Sequence, residues 1–294
     1  MGLYGKKFIR EIETRGLSPS TKKLYLRSII RLFEFYNKCP SQINLEEIKD
    51  YLHHLSTREV KPLAPISVNR ECTSIKFFYT NVLGRDYENC LPRMKIKKTQ
   101  PTILSIEEVR RLIESIHKVQ YKAILLTFYA TGIRNSELRH LTIDDIDRKN
   151  MVIKIRNGKG GKDRLVRLPL KLLKVLETYW RLKRCKKTKW LFTPSKVSGR
   201  DQEGSLDKPL SATAIAYIFK VACKAAGIKK RVTPHCLRHS FAVHLMQKNV
   251  HIRHIQHLLG HSDIRTTMHY TTIVDIQDID PPKILDGLVF GDKK

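Results

Sequence analysis

His235 and Arg238 stand three residues apart, and Tyr270 follows His261 by nine. On a helix, a spacing of three puts two side chains on one face, about 5–6 Å apart at Cβ. A planar guanidinium forks two phosphate oxygens, and an imidazole beside it can hydrogen-bond the same group or move a proton. An HxxR spacing alone is common and more often structural than chemical. A tyrosine behind two His/Arg clusters, in a chain of formal net charge +28, points instead to a nucleophile aimed at a phosphodiester. Lys159 sits in the run Asn157-Gly158-Lys159-Gly160-Gly161-Lys162-Asp163. There its side chain is either simply solvated or free to swing into a site. A P-loop is excluded, because no GxxxxGK[ST] run is present.

The charge narrows the class of partner. Lys and Arg number 56 against 28 Asp and Glu in 294 residues, and the excess runs through the whole chain. A folded polycation of this kind meets a polyanion, and nucleic acid is the expected partner. The hydrophobic fraction of 41% supports real cores and rules out a disordered chain. No apolar run reaches the ~18–20 residues needed to span a bilayer, and Met1 to Lys7 lacks a signal-peptide core. A cytoplasmic protein without a membrane partner is expected. Six cysteines, none in a CxxC pair, are read as reduced thiols, mostly in cores. His251, His254, His257 and His261 recur at near-helical spacing, but no zinc spacing or HExxH completes them. They read as a surface histidine stripe near nucleic acid, and neither a metal nor a cofactor is expected.

The elements that must position these residues follow from periodicity. Residues 1–91 read as a helical domain. One helix starts near Ser20 with Tyr25, Ile29, Leu32, Phe33 and Tyr36 on its stripe. Another is opened by Asn44 and Glu47 and carries Ile48, Tyr51, Leu52 and Leu55. A third is opened by Pro65 and carries Val68, Cys72, Ile75, Tyr79 and Val82. Asn69, Arg70 and Lys76 fall off that last stripe, where they either form a solvated face or meet phosphates. Residues 92–102, with a proline near each end and few apolar anchors, read as an extended basic linker.

A second domain spans 103–275. Ser105 and Glu108 form a capping box. Tyr121 to Ala130 is apolar on nearly every face, so that helix is buried, and Gly132 ends it before a new helix at Arg134. Met151 to Arg156 and Arg164 to Leu168 alternate as a β-hairpin. Helices follow from Pro169 to about Arg184, from Ser211 to near Gly227, and from Thr233-Pro234 onward. Ser195 to Pro209 reads as a surface loop. Short helices are expected at about 251–259 and 262–271, and Pro281-Pro282 breaks the tail 276–294. The fold class is mainly α with a small β-sheet.

These pieces together resemble the tyrosine recombinases, the phage integrase family. The matching stretches are Ala130-Thr131-Gly132-Ile133-Arg134-Asn135-Ser136-Glu137-Leu138, Gly158-Lys159-Gly160, Pro234-His235-Cys236-Leu237-Arg238-His239, and Leu258-Leu259-Gly260-His261-Ser262, with Thr266-Thr267 leading to Tyr270. Each alone is weak; their order and intervals make the match specific over about residues 5 to 275. The resemblance implies that Tyr270 attacks a DNA phosphate and becomes a 3′-phosphotyrosine. It implies that Arg134 and Arg238 clamp the non-bridging oxygens, that His235 accepts a proton or donates a hydrogen bond, and that His261 holds the phosphate. Lys159 then protonates the leaving 5′-oxygen, with Lys162 as the weaker candidate, and Glu137 buttresses the site. The chemistry is consistent with these residue types. A tyrosine of pKa near ~10 needs help losing its proton, and guanidiniums offset transition-state charge.

The resemblance also implies a helical core-binding domain and a mixed α+β catalytic domain closing as a C-shaped clamp on double-stranded DNA. It implies a specific recombination site, a homo- or hetero-tetramer on the DNA, and possible accessory proteins. Asn69, Arg70, Lys76, Lys162 and Arg164 are the expected DNA contacts. No arm-type domain is expected ahead of the first helix, and the interval from Lys159 to His235 leaves no room for a large inserted subdomain. A simple, Xer-like recombinase is the expected subtype, with Ile284 to Phe290 packing in trans on a neighbour. Two other classes share these features: a type IB topoisomerase, and a non-enzymatic DNA-binding protein derived from an integrase.

Overall fold

The computed structural model describes residues 3–87, 89–97, 100–156, 163–182, 188–194 and 207–271. The chain divides into two compact units between residues 99 and 100. Lys159, Lys162, most of the expected surface loop and the tail 276–294 lie outside the described residues, as does Cys185.

The first unit is built from helices with clear start and stop signals. Helix α1 (Leu3–Thr14) precedes the helix read from Ser20 and was not part of the sequence reading. Its Phe8 and Ile12 are fully buried, so it is a core element. In α2 (Pro19–Tyr36) the Ser18 side chain accepts from the Thr21 amide, and Asn37 ends the helix in the left-handed region. In α3 (Leu45–Thr57) Asn44 and Glu47 form the expected capping box. Helix α4 (Pro65–Leu83) starts on its proline and stops at Gly84, at φ 68°. Val68, Cys72, Ile75 and Tyr79 pack with Leu32 and Ile48 in one core. After α4 the chain is held locally: Asn69 Nδ2 donates to the Met94 carbonyl at 3.0 Å, and the Met94 amide donates back to Asn69 Oδ1 at 2.8 Å. The Asn69 amide is therefore occupied by the chain's own backbone, whereas Arg70 beside it is exposed.

The second unit surrounds α6 (Val119–Thr131), whose Ala123, Ile124, Leu125, Thr127 and Phe128 are all buried. Helix α5 (Ile106–Glu114) precedes it with the Ser105–Glu108 box, and α7 (Asn135–Arg139) follows Gly132, at φ 60°. A three-stranded antiparallel sheet comes next: β1 (Ile146–Asp147), β2 (Val152–Ile155) and β3 (Arg164–Arg167). The expected hairpin is β2–β3, with Ile153 opposite Val166 and Ile155 opposite Arg164; β1 is additional. Ile153, Ile155 and Val166 face the core. Helices α8 (Leu170–Leu182), α9 (Ala212–Ala225), α10 (Pro234–Gln247), α11 (Ile252–Leu259) and α12 (Arg265–Met268) complete the unit. The last is much shorter than the span read from sequence. A smaller core of Ala242, Val243, Ile255, Leu259 and Tyr270 joins α10, α11 and the chain after α12.

Two expectations need correction. The cysteines are less uniformly internal than expected: Cys72 and Cys236 are buried, but Cys39 and Cys90 are exposed. Arg164 is not available as a DNA contact, for the reason given below. Among the described residues no helix is long and apolar enough to cross a membrane, and no cluster of His, Cys, Asp and Glu is arranged to hold a metal ion.

Candidate active site

Four local structures converge on one cluster. The first is the break after α6. Gly132 caps that helix in the left-handed region, and a Cβ there would collide with the Phe241 ring and lie 2.9 Å from Leu259. Its carbonyl accepts from Arg238 Nη1 at 2.5 Å. Two residues later, Arg134 is the N-cap of α7. Its amide donates to Glu137 Oε2 at 2.7 Å, and its Nη1 donates to Oε1 at 2.7 Å. The capping box thus fixes Arg134 through both backbone and side chain.

The second is β3. Arg164 shares the inward face of its strand with Val166 and Leu168, so strand alternation drives a guanidinium into the interior. There Nη1 and Nη2 donate to the two Glu137 oxygens at 2.8 Å each, and Nε donates to the Leu258 carbonyl at 3.1 Å. Its side chain is only 7% exposed. Arg164 therefore braces Glu137 and cannot reach DNA, contrary to the expectation from sequence. Burial alone would push the Glu137 carboxyl upward, but the hydrogen bonds from Arg164 and Arg134 outweigh it and bring the pKa down to about 2.

The third is the first turn of α10. Pro234 occupies the first position, His235 is exposed, and Arg238 one turn on is 4% exposed. Burial, and then the neighbouring Arg134 charge, lower the Arg238 pKa to about 10, so it stays cationic at neutral pH. Desolvation, followed by the charges of Arg238 and Arg134, also holds His235 below the ordinary histidine range.

The fourth is the C-terminus of α11. Gly260, at φ 63°, caps the helix, and a Cβ there would lie 2.9 Å from the Arg164 side chain. Its carbonyl accepts from Arg134 Nη2 at 2.8 Å, and the Leu259 carbonyl accepts from Arg238 Nη2 at 2.7 Å. Each arginine thus sits against main-chain oxygens at a helix C-terminus, the negative end of the helix dipole. His261 comes next. Its Nδ1 pairs with Thr267 Oγ1 at 2.9 Å, and its Nε2 lies 2.9 Å from Arg238 Nη2. Burial, followed by the charges of Arg238, Arg134 and Arg164, brings the His261 pKa down to about 4.

Tyr270 closes the cluster. It is 3% exposed, its ring lies 6.4 Å from that of His261, and its hydroxyl is 2.9 Å from His239 Nδ1. Burial raises its pKa, while the charges of Arg238 and Arg134 oppose that rise. Arg134, Arg238, His261 and Tyr270 are thus brought together, with His235 at the exposed edge. Lys159 lies outside the described residues. Sequence spacing did not assign a role to His239 or Thr267, since both contacts join separate elements. The signal for Arg164 was present as an arginine on the inward side of a strand.

This helical two-unit fold gathers arginines, histidines and a tyrosine in one unit. The phage integrase family matches residues 102–275, and its N-terminal SAM-like domain matches residues 5–89. The tyrosine recombinase XerA of Pyrococcus furiosus is 33% identical over 98% of this chain and 96% of its own. A tyrosine recombinase of Pseudothermotoga lettingae is 35% identical over 92% of this chain and 93% of its own. The XerH site-specific recombinase, solved bound to its difH substrate as a pre-cleavage complex, shares the fold at a TM-score of 0.67 and 21% identity, over 87% of this chain and 76% of its own. The chain belongs to the phage integrase family.

Proposed function

We propose that this tyrosine recombinase cuts and rejoins duplex DNA at a specific site through Tyr270. The observation that carries the assignment is the placement of the Tyr270 hydroxyl. It lies in the same cluster as Arg238 and His261, within the field of two guanidiniums that favour its ionised form.

A phosphodiester entering the cluster takes the Arg134 and Arg238 donors, with His261 and the exposed His235 completing the shell. Glu137 and main-chain carbonyls hold the two guanidiniums in place beforehand, so stabilising charge on the phosphorane needs only a local exchange of donors at Arg238 and His261. Tyr270 Oη bonds to phosphorus as the P–O5′ bond breaks, leaving a 3′-phosphotyrosine and a 5′-oxygen that Lys159 protonates. The new bond conserves the energy of the phosphodiester, so a 5′-hydroxyl from another strand can reverse the step. Two such exchanges recombine two duplexes. Around this chemistry, Arg70 and Lys76 on α4 and Lys162 serve as DNA contacts. The active assembly is a tetramer on DNA that works in the cytoplasm, with accessory proteins where the site requires them.

A suicide substrate, nicked beside the cleavage site, tests the assignment. The wild type should accumulate a covalent protein–DNA adduct, and Tyr270→Phe should bind the same DNA without forming one. Absence of adduct with the wild type would mark a DNA-binding protein without this chemistry. Two duplexes with matched sites separate recombination from relaxation, because exchanged products form only in the former.

A further inference from the structure

His239 follows Arg238 on α10 and points away from it around the helix, toward the last element of the unit. Its Nδ1 is 2.9 Å from Tyr270 Oη, and the two rings are 5.6 Å apart at 54°. The tautomer with its proton on Nε2 leaves Nδ1 bare to accept from the Tyr270 O–H, and this is the form the proposal below requires.

A buried tyrosine needs an acceptor whether or not it reacts. The same helix shows that plain case one turn further on, where Tyr129 Oη lies 2.9 Å from His244 Nδ1. Burial is what raises the Tyr129 pKa, and no guanidinium opposes it. At Tyr270 the charges of Arg238 and Arg134 do oppose it, and His261 stacks beside the ring. The two pairs share a geometry, but only one lies in a field that favours phenolate.

We propose that His239 orients Tyr270 and takes its proton as Oη attacks phosphorus. This rests on Tyr270 being the nucleophile. The Oη–P bond forms, the P–O5′ bond breaks, and the phenolic proton passes to His239 Nδ1. A separate donor, assigned above to Lys159, supplies the proton to O5′, and rejoining returns each proton along the same path. The groups facing His239 are His235 and Arg238 on its own helix, and His261, His269 and Tyr270 from the following segments. Together with burial, which is the largest cause, His235, Arg238 and His269 hold its pKa at about 4 in the free protein. A phosphodiester adds the negative charge that offsets these cations, so the base gains strength when DNA fills the site. His235, exposed at the edge, is left to hydrogen-bond the phosphate.

Single-turnover cleavage of the suicide substrate tests the proposal with His239→Asn, whose side-chain oxygen can still accept from Tyr270 but does not titrate. We expect a cleavage rate at least ~10²-fold lower, the scale of general-base catalysis, with DNA affinity unchanged, since the loss falls on the chemical step. A 5′-bridging sulfur, which needs no proton on leaving, should not restore the rate. A rate within a few-fold of wild type, or recovery with the sulfur substrate, would overturn the assignment. The acid limb of the pH–rate profile gives a second reading: it should vanish in His239→Asn and persist in His235→Gln. The reverse pattern assigns the proton to His235 and sinks the proposal. An adduct formed by Tyr270→Phe would instead refute the nucleophile assignment beneath it.

Discussion

Arg238 donates from Nη2 to His261 Nε2 at 2.9 Å, and this one contact sets the state of the imidazole. A guanidinium only donates, so Nε2 must be the bare nitrogen, and the ring proton lies on Nδ1 facing Thr267 Oγ1. The free protein therefore stores His261 as an acceptor, with the nitrogen nearest Arg238 unable to donate. To hydrogen-bond a phosphate through Nε2, the ring must gain a proton or change tautomer as Arg238 turns to the phosphate. Nitrogen-15 NMR of the free protein at neutral pH should show a protonated Nδ1 and an unprotonated Nε2. A protonated Nε2 in the absence of DNA would contradict this arrangement.

The second prediction concerns counter-charge. Arg134 and Arg164 share the single Glu137 carboxylate, at 2.7 and 2.8 Å. Removing one partner of a buried ion pair leaves charge uncompensated, typically at about 3–5 kcal/mol. Glu137→Gln should lose stability on that scale in urea denaturation at neutral pH. The pH dependence has a definite sign. The folded pKa lies near 2 against an ordinary 4.5, so this contribution is complete above 4.5 and fades as pH falls toward 2. The variant should lack that acid-sensitive component. Equal acid sensitivity in both proteins would remove Glu137 as its source.

Gly132 supplies a third. Its positive φ disfavours any side chain, and a Cβ would strike Phe241 and crowd Leu259. The backbone penalty is about 1–3 kcal/mol, and overpacking adds a similar amount. Gly132→Ala should be destabilised by about 2–5 kcal/mol, with a slower cleavage rate because the Gly132 carbonyl seats Arg238. A variant as stable as wild type would show that the helix end yields more readily than the geometry implies.

Arg70 and Arg238 should behave as opposites. Arg70 is exposed on α4, whereas Arg238 is buried in the cluster. Arg70→Ala should weaken DNA binding and reduce the slope of log affinity against log salt by about one, while cleavage at saturating DNA is preserved. Arg238→Ala should reduce cleavage by about 10²–10³-fold even at saturation, the usual cost of losing a transition-state donor. Cleavage assays over a salt series compare the two directly.

Much of this was legible from local rules. Pro65, Asn44 with Glu47, and Ser105 with Glu108 marked helix starts because caps act within a few residues. Gly132 marked a stop because a positive φ was needed there. Arg238, His261 and Tyr270 drew attention by their spacing, Arg134 entered through the family resemblance, and the four lie in one cluster. Contacts set by the meeting of distant elements were not legible. Arg164 was expected among the DNA contacts; pairing with Glu137, 27 positions away, turns it inward. His239 was quoted within a motif but not assigned, since nothing in the spacing says which side chain will face Tyr270. Helix α1 was not delimited within the helical domain, although Tyr4, Phe8 and Ile12 recur at a spacing of four and pack into its core.

Tyr270 packs with α10 and α11 of its own chain, in the cluster that holds Arg238 and His261. Under the proposed function, one protomer then supplies blade and anvil together from its described residues. The order in which strands are cut and spared would be imposed from outside that cluster, by the DNA and by whatever copies share it.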